Sequence, residues 1–223
     1  MMKTAILVDG GFYRKRAAAL WGVRSAKERA KELIAYCQAH IKNQGAELYR
    51  VFYYDCAPFD GHVYHPFKQK NINLKKTETY TWSNQFLDEL RKARKFAVRL
   101  GSLSEISAGY NLKGDTTKKL FSEKITIDDI TENDFSITIE QKGVDMKLGI
   151  DISSMAYKKQ VDQIILISGD SDFVPAAKLA RREGIDFILD PMWAPIKNNL
   201  SEHVDGIHSC WNKKNGLGTK AAG

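Results

Sequence analysis

A mainly parallel α/β sandwich, with helices on both faces of one sheet, is the fold this sequence predicts. Three observations carry that expectation. Two short apolar runs, Ala5 to Val8 and Ile164 to Ile167, each stop abruptly at acidic and small residues: Asp9-Gly10-Gly11 after the first and Ser168-Gly169-Asp170-Ser171-Asp172 after the second. Continuous apolar runs bounded by turn residues are strands buried on both faces, the kind found in parallel sheets. Between such runs lie segments of helical periodicity, so strand, helix and strand follow one another as crossover units. The 223 residues suffice for one domain with a full core. The expected division is a single domain over residues 1–212, with insertions at about 58–95 and 107–141, and a tail over residues 213–223 (KKNGLGTKAAG).

The elements follow in order. Ala5 to Val8 is strand one. Phe12, Tyr13, Arg14, Lys15 and Arg16 after it are either the first turns of a helix or an aromatic and basic lip. Ser25-Ala26-Lys27-Glu28 has the spacing of a capping box, and Leu33, Ile34, Cys37 and Ile41 form one apolar face before Gly45. Glu47 to Asp55, rich in aromatic and β-branched residues, is strand two. Asp55 at its end reads as a turn former, or as a fringe member of a site. Residues 58–95 are the least regular part. Ser83 or Asn84 can cap a helix there whose apolar face is Phe86, Leu87 and Leu90. Phe96 to Leu100 is strand three. Residues 107–141 are polar, with two alternating runs, Lys124 to Ile127 and Phe135 to Gln141, that suggest an inserted hairpin or a lobe without a core of its own. Val144, Leu148, Ile152 and Met155 recur at helical spacing. Pro175 suits the first turn of the next helix, which stops at Gly184. Asp186 to Leu189 is strand five, and Leu200 to Trp211 a last helix or short strand.

Composition narrows the function. The net charge of +7 and the isoelectric point near 9.2 favour a polyanionic partner, nucleic acid ahead of an acidic membrane surface. Cys37, Cys56 and Cys210 are scattered, odd in number and without CxxC spacing, which argues against a disulfide framework or zinc site and for a reducing, cytoplasmic setting. The apolar run near the N-terminus is too short for a signal peptide, and none reaches the length of a membrane span. There is no G-x-G-x-x-G or G-x-x-x-x-G-K-[ST] loop, so dinucleotide and nucleoside-triphosphate chemistry is disfavoured.

The chemistry-bearing residues collect where strands end. In open α/β sheets, ligands bind at the carboxyl ends of the strands. Asp9 and the Asp170/Asp172 pair sit at two such ends, and Asp145 lies in the first turn of a helix. If the strand order is 3-2-1-4-5, strands one and four flank the switch-point crevice. Carboxylates crowded there repel one another, and a hard divalent cation such as Mg²⁺ or Mn²⁺ relieves the repulsion. Asp, Ser and Gly are also ordinary turn residues, so a polar turn is the plainer reading. Asp145 and Asp151, six residues apart, point about 240° apart and sit about 9 Å apart along a helix. Asp145 is the better ligand of the two, and Asp151 supports the site or partners a nearby base. Ser168 and Ser171 hold the substrate phosphate or the loop itself. Arg14, Lys75, Lys76, Arg91, Lys92 and Lys142 are candidate phosphate contacts, or solvated charges that suit helix ends. His62 and His65 lack metal spacing and read as surface residues or nucleic-acid contacts.

At these residues the sequence resembles a known family. VDGGFY at Val8 to Tyr13, KGVDMKLGIDI at Lys142 to Ile152 and SGDSDFVPAAKLARREG at Ser168 to Gly184 resemble the NYN domain, and more narrowly its LabA-like bacterial branch within the PIN-like nuclease superfamily. The resemblance implies a Rossmann-like three-layer sandwich, a Mg²⁺ or Mn²⁺ ion held by Asp9, Asp145, Asp170 and Asp172, and ribonuclease activity. Asp151 also matches the family pattern. Phe12 stands where many NYN domains carry an Asn, which removes a polar contact near the metal or substrate. The expected function is therefore metal-dependent hydrolysis of RNA, single-stranded by preference, by an endoribonuclease. The alternative is a non-catalytic RNA-binding or regulatory protein on the same fold. A haloacid-dehalogenase-type phosphatase needs a second Asp where Gly11 stands, and a topoisomerase-primase-type site expects a Glu where Asp9 stands. The sequence leaves the oligomeric state open, a homo-oligomer included.

Overall fold

Residues 1–211 and 213 are described by a computed structural model of the chain. The expected tail over 213–223 lies, Lys213 apart, outside the described residues. The elements are β1 (Lys3–Asp9), α1 (Gly10–Trp21), α2 (Ala26–Asn43), β2 (Glu47–Cys56), β3 (His62–His65), β4 (Lys70–Asn73), α3 (Glu78–Lys92), β5 (Phe96–Leu103), β6 (Gly109–Leu112), α4 (Gly114–Phe121), β7 (Phe135–Thr138), β8 (Gln141–Lys142), α5 (Val144–Tyr157), β9 (Gln163–Ile167), α6 (Val174–Arg182), β10 (Asp186–Asp190), α7 (Asn198–Ser201) and β11 (Gly206–Ile207).

The central sheet runs β11-β10-β9-β1-β2-β5-β8, parallel except for the short edge strand β8. Its five principal strands stand in the order expected, 3-2-1-4-5. The strand residues alternate between two cores. Ala5, Leu7, Phe52, Tyr54, Ile164 and Leu166 face α5 and α6, while Ile6, Val8, Val51, Tyr53, Ile165 and Ile167 face α1, α2 and α3. This period of two, applied to strands apolar on both faces, makes three layers.

The α1 helix approaches the sheet closely. A Cβ on Gly10 would lie 2.5 Å from the Tyr53 ring and 2.6 Å from the Tyr54 carbonyl oxygen. Only glycine fits, because one of the opposing atoms is backbone. Gly10→Ala is expected to destabilise the fold by about 2–3 kcal/mol, the scale of overpacking, and urea denaturation will read it.

Several elements differ from the sequence reading. The α3 helix starts six or seven residues earlier than Ser83 or Asn84 would place it. Thr77 is the cap, its Oγ1 accepting from the Tyr80 N–H at 3.2 Å, and Ser83 is buried inside the helix. The β-branched and aromatic stretch Thr79 to Trp82 is a weak helix former, but the Trp82 indole N–H donates to the Arg24 carbonyl at 3.0 Å, and this contact with a distant segment overrides propensity. Lys124 to Ile127 forms no strand. Phe135–Thr138 pairs instead with Gly109–Leu112. The two polar insertions also pack on each other. His65, 3% exposed, sits 4.3 Å from the Tyr110 ring and 5.4 Å from Phe135, and Lys68 pairs with Glu132. The lobe thus has a small aromatic core, and His65 is one of its members rather than a surface contact.

A carboxylate cleft at the carboxyl edge of the sheet

The Ser25–Glu28 capping box forms as expected and fixes the start of α2. At the other end of the crossover, Asp9 both ends β1 and caps α1. Its Oδ1 accepts from the Phe12 N–H at 3.0 Å, and its Oδ2 accepts from Ser168 Oγ at 3.1 Å. Each oxygen keeps a second lone pair. Asp145 occupies the first turn of α5 after Gly143, whose φ of 78° only glycine adopts easily. Asp170 follows β9. Its backbone N–H reaches Ser168 Oγ at 3.2 Å, and its Oδ1 accepts from the Asp172 N–H at 3.0 Å.

Three of these carboxylates, Asp9, Asp145 and Asp170, line one cleft of about 1200 Å³. Asp172 lies beyond Asp145 and lines a separate groove with it. Asp145 links the charges of the set. Burial pushes the Asp9 carboxyl up, and the charges of Asp145 and Asp55 add to the shift against the Phe12 and Ser168 hydrogen bonds. Burial also pushes Asp145 up, helped by Asp170 and Asp172.

A carboxyl whose folded pKa is raised binds its proton more tightly when folded, so the ionised form costs stability. That cost is absent below about pH 4, where folded and unfolded chains both hold the proton, and it grows as pH rises through the folded pKa. Asn at position 9 carries no charge, keeps its oxygen as acceptor for the Phe12 N–H, and turns its amide N–H as donor toward Ser168 Oγ. Asp9→Asn should therefore raise the melting temperature in chelator at pH 7 by about 2 °C, with the difference vanishing near pH 4. Thermal melts at the two pH values check this.

The donor set suits a hard cation. It consists of carboxylate oxygens with free lone pairs that line one cleft, where, beyond burial, the charge of Asp145 raises Asp9 and that of Asp170 raises Asp145. Among the described residues, no three His, Cys, Asp or Glu side chains are close enough to enclose an ion. The carboxylates therefore line the cleft rather than ring a point in it.

The supporting residues sort by contact. Ser168 is fully buried and bridges Asp9 to the Asp170 backbone, so it positions the ligands and is not open to a phosphate. Ser171 lies 3.5 Å from Lys197 Nζ. Asp151 accepts from Tyr54 OH at 2.8 Å and pairs with Arg99 at 3.2 Å, turned away from the cleft as helix geometry requires. Arg14 lines the cleft with its side chain about a third exposed, and it pairs with Asp55 at 3.0 Å. Asp55 is neither a turn former nor a ligand. It is buried, holds Arg14 and accepts from Tyr53 OH at 2.8 Å.

The other basic candidates do not line the cleft. Arg91 and Lys92 pair with Asp88 and Glu89 one turn back on α3, at its far end. Lys142 faces Glu140 at 3.9 Å. Lys75 and Lys76 are exposed just before Glu78 and Thr79, which do line it. Lys15, which the sequence offers beside Arg14 as a phosphate contact or a solvated charge, lines it, and so do Arg24 and Arg29, which sequence reasoning missed. Their only sequence signal was basic character near a helix start. Phe12, at the position of the family Asn, covers Gly169, where a Cβ would lie 2.8 Å from its ring.

Over residues 70–205 the chain matches the NYN domain family. That span includes Asp145, Asp170 and Asp172, while Asp9 precedes it. The match is to the NYN domain as a whole and does not separate its LabA-like branch. The fold is similar to the crystal structure of a protein of unknown function from Vibrio parahaemolyticus, with a TM-score of 0.51 and 16% identity over 96% of this chain and 95% of that one. No curated protein matches the chain.

Proposed function

The chain belongs to the NYN domain family, within the PIN-like superfamily of nucleases, and from that premise we propose that it is a metal-dependent endoribonuclease acting on single-stranded RNA. The observation that carries the reading is the convergence of Asp9, Asp145 and Asp170 from three separate elements into one cleft, against their mutual repulsion. A fold does not gather like charges without a use for them.

In this reading Asp9, Asp145 and Asp170 would hold Mg²⁺ or Mn²⁺, and Asp172 would be a further ligand or would orient the attacking water. An ion held there would supply water activation and charge stabilisation at the leaving oxygen. Ser168 fixes the rotamer of Asp9 and the course of the 168–170 loop. Phe12 closes the space over Gly169 and keeps water from the back of Asp170. Arg14, its charge shared with Asp55, faces a phosphate oxygen in the cleft. The net charge of +7 brings the polyanion to a locally negative site. Cys37, Cys56 and Cys210 are free thiols, in keeping with a cytoplasmic setting. Among the described residues no helix is long and apolar enough to cross a membrane.

One observation favours a second reading, an RNA-binding protein without turnover: the carboxylates do not close around a point. The test is incubation of purified protein with end-labelled single-stranded RNA in Mn²⁺ or Mg²⁺, beside EDTA. Internal cuts that need the metal support the endoribonuclease, whereas binding without cuts supports the second reading.

A further inference from the structure

The cleft does not end at the carboxylates. It continues between the start of α2 and the first half of α3, where its wall is Lys15, Arg24, Arg29 and Trp82. This wall has an uncommon support. Glu32 is fully buried and takes two guanidinium groups. Arg29 donates to its Oε1, and Arg24 Nε lies 2.9 Å from its Oε2. Tyr13 OH donates to the same Oε1 at 3.0 Å. Two guanidinium groups share this one buried carboxylate, so the set turns net positive charge toward the cleft through the part-exposed Arg24.

The two arginines differ. Arg29 is buried and also donates to the Gly22 carbonyl. Arg24 has its side chain 30% exposed, and among the described residues its terminal nitrogens donate to no protein acceptor. The Arg24 carbonyl receives the Trp82 indole N–H at 3.0 Å, which ties the half-buried ring to the same spot. Hydrogen bonds from Ser25 to its Oε2 hold the Glu28 carboxyl down, and Glu28 lies near enough for the charge of Arg24 to help. Glu78, on the first turn of α3, is the acidic residue of this wall.

We infer that Arg24, aimed by the buried Glu32 and flanked by Lys15 and Trp82, is a second phosphate subsite. It binds the backbone of a single-stranded nucleic acid away from the scissile bond, with a base against Trp82. An arginine fork held in place matches phosphate geometry, and an aromatic face takes any base. The subsite rests on the nucleic-acid reading above, but not on hydrolysis. It makes the chain a reader of extended strands, because one phosphate must sit over the carboxylates while another reaches Arg24.

Binding is measured in EDTA, where metal-dependent cleavage cannot run, with a labelled single-stranded RNA of about twelve nucleotides, a length within the reach of such sites. Arg24→Gln should weaken binding roughly fivefold to tenfold and lower the slope of log affinity against log salt by about 0.7, the value of one lost phosphate contact on a single strand. Arg182→Gln removes the same charge on the remote end of α6 and should change neither by as much. Equal losses in the two variants, or an Arg24→Gln protein with unchanged affinity and slope, would overturn the subsite. Wild-type protein gives an independent arm: photo-crosslinks from thiouridine-substituted RNA should map to residues 22–24 or 79–83, and crosslinks only elsewhere overturn it. A protein that binds in this way but never cuts RNA in Mn²⁺ retains the subsite and loses the endoribonuclease.

Discussion

Asp170→Asn is expected to lower metal-dependent RNA cleavage at least about a thousandfold, the scale of losing a group that serves the transition-state charge, while RNA binding stays equal or tightens. The substitution is nearly silent for the fold. Asp170 is exposed, and its one hydrogen-bonded oxygen accepts from the Asp172 N–H, which an Asn oxygen also does. What changes is the donor set. One carboxylate of the three that line the cleft becomes a neutral amide, so the site holds a divalent ion less tightly. Binding responds in the opposite sense, because the cleft loses a negative charge that faces the phosphates. Asp172→Asn should cost less, since Asp172 lies outside the main cleft. Single-turnover cleavage and RNA binding, measured beside a thermal melt, separate these effects. An Asp170→Asn protein cutting at the wild-type rate would remove Asp170 from the mechanism.

Asp190→Ala is expected to destabilise the protein by about 3–5 kcal/mol, as breaking a buried charged network does. Asp190 ends β10 with no exposed surface, and both its oxygens are shared. Oδ2 accepts from Tyr36 OH at 2.5 Å and lies 2.7 Å from His40 Nε2, both on α2. Oδ1 accepts from the Met192 N–H at 2.7 Å and from Ser209 Oγ at 2.6 Å. One carboxylate thereby joins a helix, Ser209 and Met192, which leads into the loop carrying the cleft residues Ala194 and Pro195. Burial, with the charge of Asp190, also pushes the Tyr36 hydroxyl and the Cys37 and Cys210 thiols up, so these thiols stay protonated and unreactive at neutral pH. Alanine would leave the Tyr36 hydroxyl and His40 Nε2 buried without their acceptor, and His40 Nδ1 already has no partner. Asp190→Asn keeps part of the network and should cost less. The midpoint of urea denaturation measures both, and a loss under about 1 kcal/mol for the alanine variant would contradict the role assigned to Asp190.

The sequence by itself determined the parallel core. Apolar runs ending in Asp-Gly-Gly and Ser-Gly-Asp-Ser-Asp declare buried strands because only a strand covered on both faces is apolar at every position. The same runs placed Asp9 and Asp170 at one edge of the sheet, since parallel strands share a direction. Helical spacing alone separated Asp145 from Asp151 and left Asp151 either to support the site or to partner a nearby base, and the structure pairs it with Arg99. Local chemistry also sufficed for the capping box at Ser25 and Glu28.

Tertiary structure decided what depends on contacts between distant segments. Whether a lysine or arginine faces a cleft or its own helix is not written in its neighbours. Arg91 and Lys92 answer carboxylates three residues back, whereas Arg24 is placed by Glu32 and Trp82. The start of α3 is held against its local propensity by Trp82, whose indole N–H donates to the Arg24 carbonyl 58 residues back. The lobe's aromatic core joined two insertions that look merely polar, because His65, Tyr110 and Phe135 are far apart in the chain. Asp190, one more strand-end Asp in the sequence, became a buried hub only once α2 and Ser209 closed around it. Periodicity reports which face of an element is covered, but it carries no information about which distant side chain does the covering.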